Sequence, residues 1–128
     1  PAEMLVEVRL PIRTGAGSAY EKVERRVGDW AIASAGAFVQ LDGDTIVDVG
    51  IGLAAVGADH FSCAEAEDAL RGQAASQDAF ATAAGIVRDA VNPVADQRGP
   101  EDYKRHLAGE LTRRALTRAT ARARGEDA

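Results

Sequence analysis

The spacing of apolar residues changes period once along the chain. From Glu3 to Leu10, Met4, Val6, Val8 and Leu10 face one way, and Glu3, Glu7 and Arg9, with Leu5 among them, face the other. That alternation predicts a half-buried strand, which Pro11 ends. Thr14 to Ser18, with Gly15 and Gly17, reads as loop, and Tyr20 to Arg26 as a charged strand edge or extended arm. Trp30 to Leu41 is apolar on both faces. Ala31, Ala33, Ala35, Ala37, Val39 and Leu41 share one face, with Ile32 and Phe38 on the other. Asp42-Gly43-Asp44 is a hairpin signal. Thr45 to Val56 returns with Val47, Val49, Ile51 and Leu53 on one face and Gly50 and Gly52 on the opposite one. The two runs predict an antiparallel hairpin, with Glu3 to Leu10 as the third strand.

Beyond the hairpin the spacing becomes helical. Ser62-Cys63-Ala64-Glu65 has capping-box spacing with Phe61 as a staple, and Gly72 is a stop, so a short helix is expected over about 64–71. Ser76 can cap a second helix, whose stripe of Phe80, Ala84, Val87 and Val91 ends at Asn92-Pro93. Asp96 to Gly99 is loop. Pro100 opens a third helix, with Glu101 and Asp102 suited to its N-terminus and Tyr103, Leu107, Leu111, Ala115 and Ala119, beside Leu116, on its buried face. Past Ala123 the chain is expected to fray. Strands followed by helices define an α+β fold: a three-stranded antiparallel sheet packed against a three-helix layer. Within one domain this places an entering strand and linker at 1–18, the sheet at 19–57, helices at 58–123 and a tail at 124–128. Three such helices cover one face of the sheet, so the other is expected to meet a neighbouring domain or subunit.

Length and charge narrow the function. The chain has 128 residues, 46% of them hydrophobic, which suits one domain with a useful core. A net charge of −5 argues against a general polyanion binder, although Arg113, Arg114, Arg118, Arg122 and Arg124 crowd one end. Those arginines read first as a solvated face that complements the helix dipole, and second as a surface for an acidic partner. Cys63 is the only cysteine, which excludes an internal disulfide or a cysteine cluster and fits a reducing cytoplasm. No signal peptide or run long enough to span a bilayer is visible. Pro1 at the start reads as a domain cut or processed from a longer chain.

No catalytic set emerges. His60 and His106 are far apart in sequence, Asp42 and Asp44 are explained as turn residues, and neither the short helix's acids nor Glu101 and Asp102 have ligand spacing with a histidine. Gly15-x-Gly17 lacks the strand, helix and third glycine of a dinucleotide fingerprint. The stretch with most chemical potential is Ala19 to Ala31. There Glu21, Lys22, Glu24, Arg25, Arg26 and Asp29 lead past Gly28 to Trp30, the only tryptophan. It reads as a ligand-contacting turn or as a solvated loop.

Two separated blocks carry a family resemblance. Ala-Tyr-Glu-Lys-Val-Glu-Arg-Arg-Val-Gly-Asp-Trp-Ala-Ile-Ala-Ser-Ala (19–35) resembles the segment that opens the C-terminal domain of flavin-carrying medium subunits of the xanthine oxidase family, those of carbon monoxide dehydrogenases above all. Val94-Ala95-Asp96-Gln97-Arg98-Gly99-Pro100-Glu101-Asp102-Tyr103-Lys104-Arg105-His106-Leu107 and Leu111 to Leu116 match in the same order, and Glu3 to Pro11 resembles the entering strand. The resemblance implies a component of a molybdenum hydroxylase, working with a molybdopterin large subunit and a small subunit that carries two [2Fe–2S] clusters. Electrons would reach FAD and then an external acceptor. FAD would be held mainly by preceding domains, whose glycine-rich motifs are absent here. It further implies that Lys22 approaches the flavin, with Asp29 and Trp30 beside it. The competing expectation is a free-standing α+β interaction module without redox activity.

Overall fold

The computed structural model describes residues 2–126. Three strands form one antiparallel sheet in the order β1 (Ala16–Val23), β2 (Ala33–Asp42), β3 (Thr45–Ala54). They are followed by a 3-10 turn (Asp59–Phe61) and helices α1 (Ala64–Leu70), α2 (Gln77–Ala90) and α3 (Glu101–Ala123). The α+β architecture is the one expected. Its third strand is not.

Glu3 to Leu10 forms no ladder, and Met4, Leu5, Val6, Val8 and Leu10 are all exposed. Alternation specifies an extended chain but not a partner for its backbone, and among the described residues this segment has none. The edge position beside β2 goes to Ala16–Val23, so strand begins where glycines predicted loop. Gly17 explains the choice, because β1 runs directly under α3. A Cβ at residue 17 would stand 2.2 Å from the Ala119 carbonyl oxygen.

The hairpin forms as expected, with Asp42 opposite Thr45. Ala33, Ala35, Ala37 and Val39 are buried toward the helices, and alanines there let α3 lie close across β1 and β2. On β3, Val49, Ile51 and Leu53 point inward, but Val47 is 48% exposed while Ile46 is fully buried. The register shifts between Gln40 and Leu41, so that Gln40 pairs with Asp48 and Leu41 with Ile46. This bulge turns Val47 out of the inward series.

Helix α2 starts as its sequence specifies, with Ser76 Oγ accepting from the Ala79 amide at 3.2 Å. The capping box of α1 does not form. Cys63 occupies the N-cap without a side-chain bond, and Phe61 is 73% exposed. The turn before it holds His60 and Phe61 at positive φ, which swings the intended staple into solvent. Gly72, at φ +77°, follows the end of α1 as anticipated. On α3, Leu107, Leu111, Ala115, Leu116 and Ala119 are buried, whereas Tyr103 is half-exposed and Lys104 takes the inward place. Phe80, Ile46, Leu70 and Leu116 are fully enclosed, each adding about 1.5–3 kcal/mol through burial.

The arginine-rich end of α3 stays partly exposed, and its side chains are also paired. Arg118 pairs with Glu21 on β1 at 2.7 Å, Arg122 donates to the Ser18 carbonyl at 2.7 Å, and Arg124 meets Asp44 at 2.7 Å. The helix ends at Ala123, as read from the sequence; Pro1 and the last two positions of the expected tail lie outside the described residues.

Candidate functional site

The C-terminal end of α3 sits against the start of β1. Its N-terminal end, with the loop before it, therefore reaches the opposite end of the sheet. There residues 24–32 connect β1 to β2, closed at the base by the Ile32 amide donating to the Val23 carbonyl at 2.8 Å. Gly28 (φ +82°) allows the turn between them. A cleft of about 530 Å³ lies at this end, lined by Tyr20, Lys22, Asp29, Trp30, Ser34 and Arg98 among others.

The structure brings Lys22, Asp29 and Trp30 together. Lys22 stands on β1 opposite Ser34. Its ammonium contacts the Glu24 carboxylate and donates to the Asp29 carbonyl at 3.3 Å. The bond to Glu24 is the main reason its pKa is raised, so Lys22 is a fixed positive charge at neutral pH. Asp29 Oδ1 accepts from the Trp30 amide at 2.8 Å, and Oδ2 faces Arg25 Nε at 3.4 Å. The Trp30 amide bond holds the carboxyl below the usual range against the effect of burial, with the charges of Arg25 and Arg98 adding to it. Trp30 is 80% exposed and lies in the loop, before the strand it was expected to begin.

Two members of the cleft were not singled out from sequence. Ser34 looks like one more small residue in an apolar strand, yet it belongs to the outer face and is only 1% exposed. Arg98 precedes α3 and arrives through tertiary packing. Both carry a buried polar atom, Ser34 Oγ and Arg98 Nε, with no hydrogen-bond partner. Spacing could not have paired them. Only the topology does.

The cleft contains no acid–base pair. His60 is fully exposed beside Asp59 at 3.6 Å, and His106 is exposed on α3. Among the described residues no group of three His, Cys, Asp or Glu could hold a metal ion, and no helix is long and apolar enough to cross a membrane. Asp42 and Asp44 lie in the β2–β3 turn, on the far side of the sheet from the cleft. Among the described residues lining the cleft, Lys22 supplies a fixed positive charge that suits an electron-rich ligand.

The fold is a three-strand, three-helix α+β module with a cleft at one end of the sheet. The chain belongs to the CO dehydrogenase flavoprotein C-terminal domain family, whose pattern matches residues 18–119. It is 38% identical to the carbon monoxide dehydrogenase medium chain of Afipia carboxidovorans, over 97% of this chain and 43% of that one. It is 31% identical to the glyceraldehyde dehydrogenase medium chain of Sulfolobus acidocaldarius, over 89% and 41% of the two chains. In solved structures, carbon monoxide dehydrogenase from Hydrogenophaga pseudoflava matches with a TM-score of 0.80 at 38% identity, over 87% of this chain and 39% of that one. The chain thus spans about two fifths of the length of these relatives.

Proposed function

We propose that the domain closes one side of the FAD site in the flavoprotein subunit of an aerobic carbon monoxide dehydrogenase-type molybdenum hydroxylase. The observation that carries this reading is the cationic Lys22 fixed at the cleft by Glu24 and the Asp29 carbonyl. The residues fit a flavin edge: a fixed ammonium at the cleft and an exposed indole at its rim. Lys22 supplies positive charge where a reduced flavin ring gains negative charge, Asp29 fixes the loop through the Trp30 amide, and Trp30 offers an apolar face. When bound, FAD would take electrons delivered from [2Fe–2S] clusters and release them to an external acceptor. In this reading the FAD phosphates belong to upstream domains of the same subunit. The partners are a molybdopterin large subunit, where the oxidised substrate is selected, and an iron–sulfur small subunit. A cytoplasmic setting suits the single thiol, Cys63.

The test is native purification from the source through a tag at the C-terminus. A flavin and iron–sulfur spectrum, two co-purifying subunits and molybdenum are expected. A colourless chain, alone or paired with itself, would replace this reading with an interaction module.

A further inference from the structure

Met4, Leu5, Val6, Val8, Leu10 and Ile12 are each at least 70% exposed, on a stretch whose backbone has no partner among the described residues. Arg9 forms a two-point ion pair with Glu7, Nε to Oε1 at 2.7 Å and a terminal nitrogen to Oε2 at 3.0 Å. Side chains two apart lie on one side only in an extended chain, so the segment already has strand geometry. Met4, Val6, Val8, Leu10 and Ile12 then share the opposite face. One apolar face, one charged face and an unpaired backbone are what a strand shows when the sheet it completes is missing.

The sheet of this domain is not that sheet. Along β3, Glu67 Oε1 accepts from the Ile51 amide at 2.8 Å and Arg71 donates to the Val49 carbonyl at 3.4 Å, so side chains from α1 and its C-cap take up the edge. Beside β1, Arg13 draws the chain away from the strand. Its guanidinium donates to Gln40 Oε1 at 3.2 Å, pairs with Asp48 and lies 5.5 Å from the centre of the Phe38 ring. Gln40 and Asp48 are opposite one another on β2 and β3, and Phe38 shares their face, the one turned away from the helices. On that face Leu10 and Pro11 line a cleft of about 660 Å³ with Phe38, Asp48 and Gly50. The segment therefore reaches β1 over the outer face of the sheet.

The cleft that holds Lys22 lies at the other end of the same face. The register sets Lys22 beside Ser34 and Tyr20 beside Gly36, both rows on the side of Phe38. A body that takes residues 3–12 at one end and brings a flavin to the other lies across this face. The chain spans about two fifths of its relatives' length, which leaves the remainder of such a subunit to supply that body.

We propose that residues 3–12 are a strand lent to a sheet of the upstream, flavin-holding part of the subunit, and that Arg13 is the positioning residue that seats that part over the outer face. The proposal rests on the flavin reading for its occupant. The partner it fits is a sheet with an open backbone edge and an apolar face, so recognition is by strand addition.

The experiment is hydrogen–deuterium exchange on the full-length subunit within its complex, with FAD content and melting temperature measured beside it. Amides of residues 4–10 are expected to exchange at least about a hundredfold more slowly than in a free chain. Val6→Asp combined with Val8→Asp should abolish that protection; should this variant fail to fold, the wild-type exchange still decides. Arg13→Met should reduce FAD retention several-fold while the melting temperature and the protection of residues 4–10 stay unchanged, and Arg13→Lys should restore part of the retention. Wild-type retention in Arg13→Met would overturn its positioning role. Free-chain exchange in a complex that holds FAD would overturn the lent strand and leave the flavin reading standing. Protection in a subunit purified without flavin would support the strand and overturn the flavin reading. Protection that vanishes as subunit dimers dissociate on dilution would put a second copy on the strand and overturn the upstream occupant.

Discussion

Lys104 is the only charged residue buried among those described, 3% exposed at a helix position where Tyr103 was expected. Its ammonium is matched by the Asp96 carboxylate and the Val94 carbonyl, which makes the burial affordable. Lys104→Met keeps the length and apolar stem of the side chain but leaves both acceptors without their donor. Asp96 is partly exposed and recovers water, so the expected loss is about 1–3 kcal/mol. Urea unfolding should show a lower midpoint with an unchanged slope. Residues of this kind were not legible in the sequence. A lysine in a helix beside Tyr103 reads as surface, and only the loop folded over it supplies acceptors. Ser34 and Arg98 were hidden for the same reason: only the topology brings a serine in an alanine-rich strand and an arginine in a loop to one cleft. Lys22, Asp29 and Trp30 were visible as a cluster, but the residues alone left open whether that cluster was a site or a solvated loop.

At the scale of elements, apolar period located β2, β3, α2 and α3, each of which buries a regular face. It gave β1 only in part: Tyr20 to Arg26 reads as a charged strand edge or extended arm, while the glycines conceal the start of the strand at Ala16. Glu21 faces α3 and is matched by Arg118, and Gly17 answers a close approach that no neighbour in sequence announces. The packing of β1 on α3 yields a prediction with its own control. Gly17→Ala would place a methyl 2.2 Å from one α3 backbone atom and 2.4 Å from another, so strand and helix must separate, at a cost of about 1–3 kcal/mol. Gly52→Ala has no atom within 4 Å of the added carbon and should leave stability unchanged or raise it by up to ~1 kcal/mol. Equal effects in thermal unfolding would refute this account of the interface. The charged side of α3 gives a pH dependence. Arg113 and Arg114 lower the Glu110 pKa from 4.5 to about 2, Arg113 foremost. A carboxyl depressed in the folded state contributes stability that is complete above its unfolded pKa and lost as pH falls through the folded one. Stability should therefore decline between about pH 4.5 and 2, with Asp29 and Asp96 acting in the same direction. Glu110→Gln should flatten part of that slope while changing stability at pH 7 by no more than ~1 kcal/mol.

For the whole molecule, the cleft's position at one end of the sheet sets what this chain can do alone. Lys22 offers a fixed cationic donor to a ligand in the cleft, and a charge-assisted bond of this type contributes roughly 1.5–3 kcal/mol. Association alone costs about 4–15 kcal/mol, which consumes that gain. Among the described residues the glycine-bearing loop before β1 is explained without phosphates: Gly15 precedes β1, and the approach of α3 accounts for Gly17. The isolated 128-residue chain should therefore bind FAD with Kd near 1 mM or weaker. It should also bind lumiflavin, which has the ring but no phosphates, about as well as FAD, because the remainder of the cofactor meets nothing. Fluorescence titration of both ligands distinguishes the cases. Micromolar binding of FAD with a strong preference over lumiflavin would place a phosphate site within these residues and contradict the proposed division of labour with upstream domains. Weak and equal binding, restored to tight FAD binding when a flavoprotein's upstream domains are supplied, is the result the proposed function predicts.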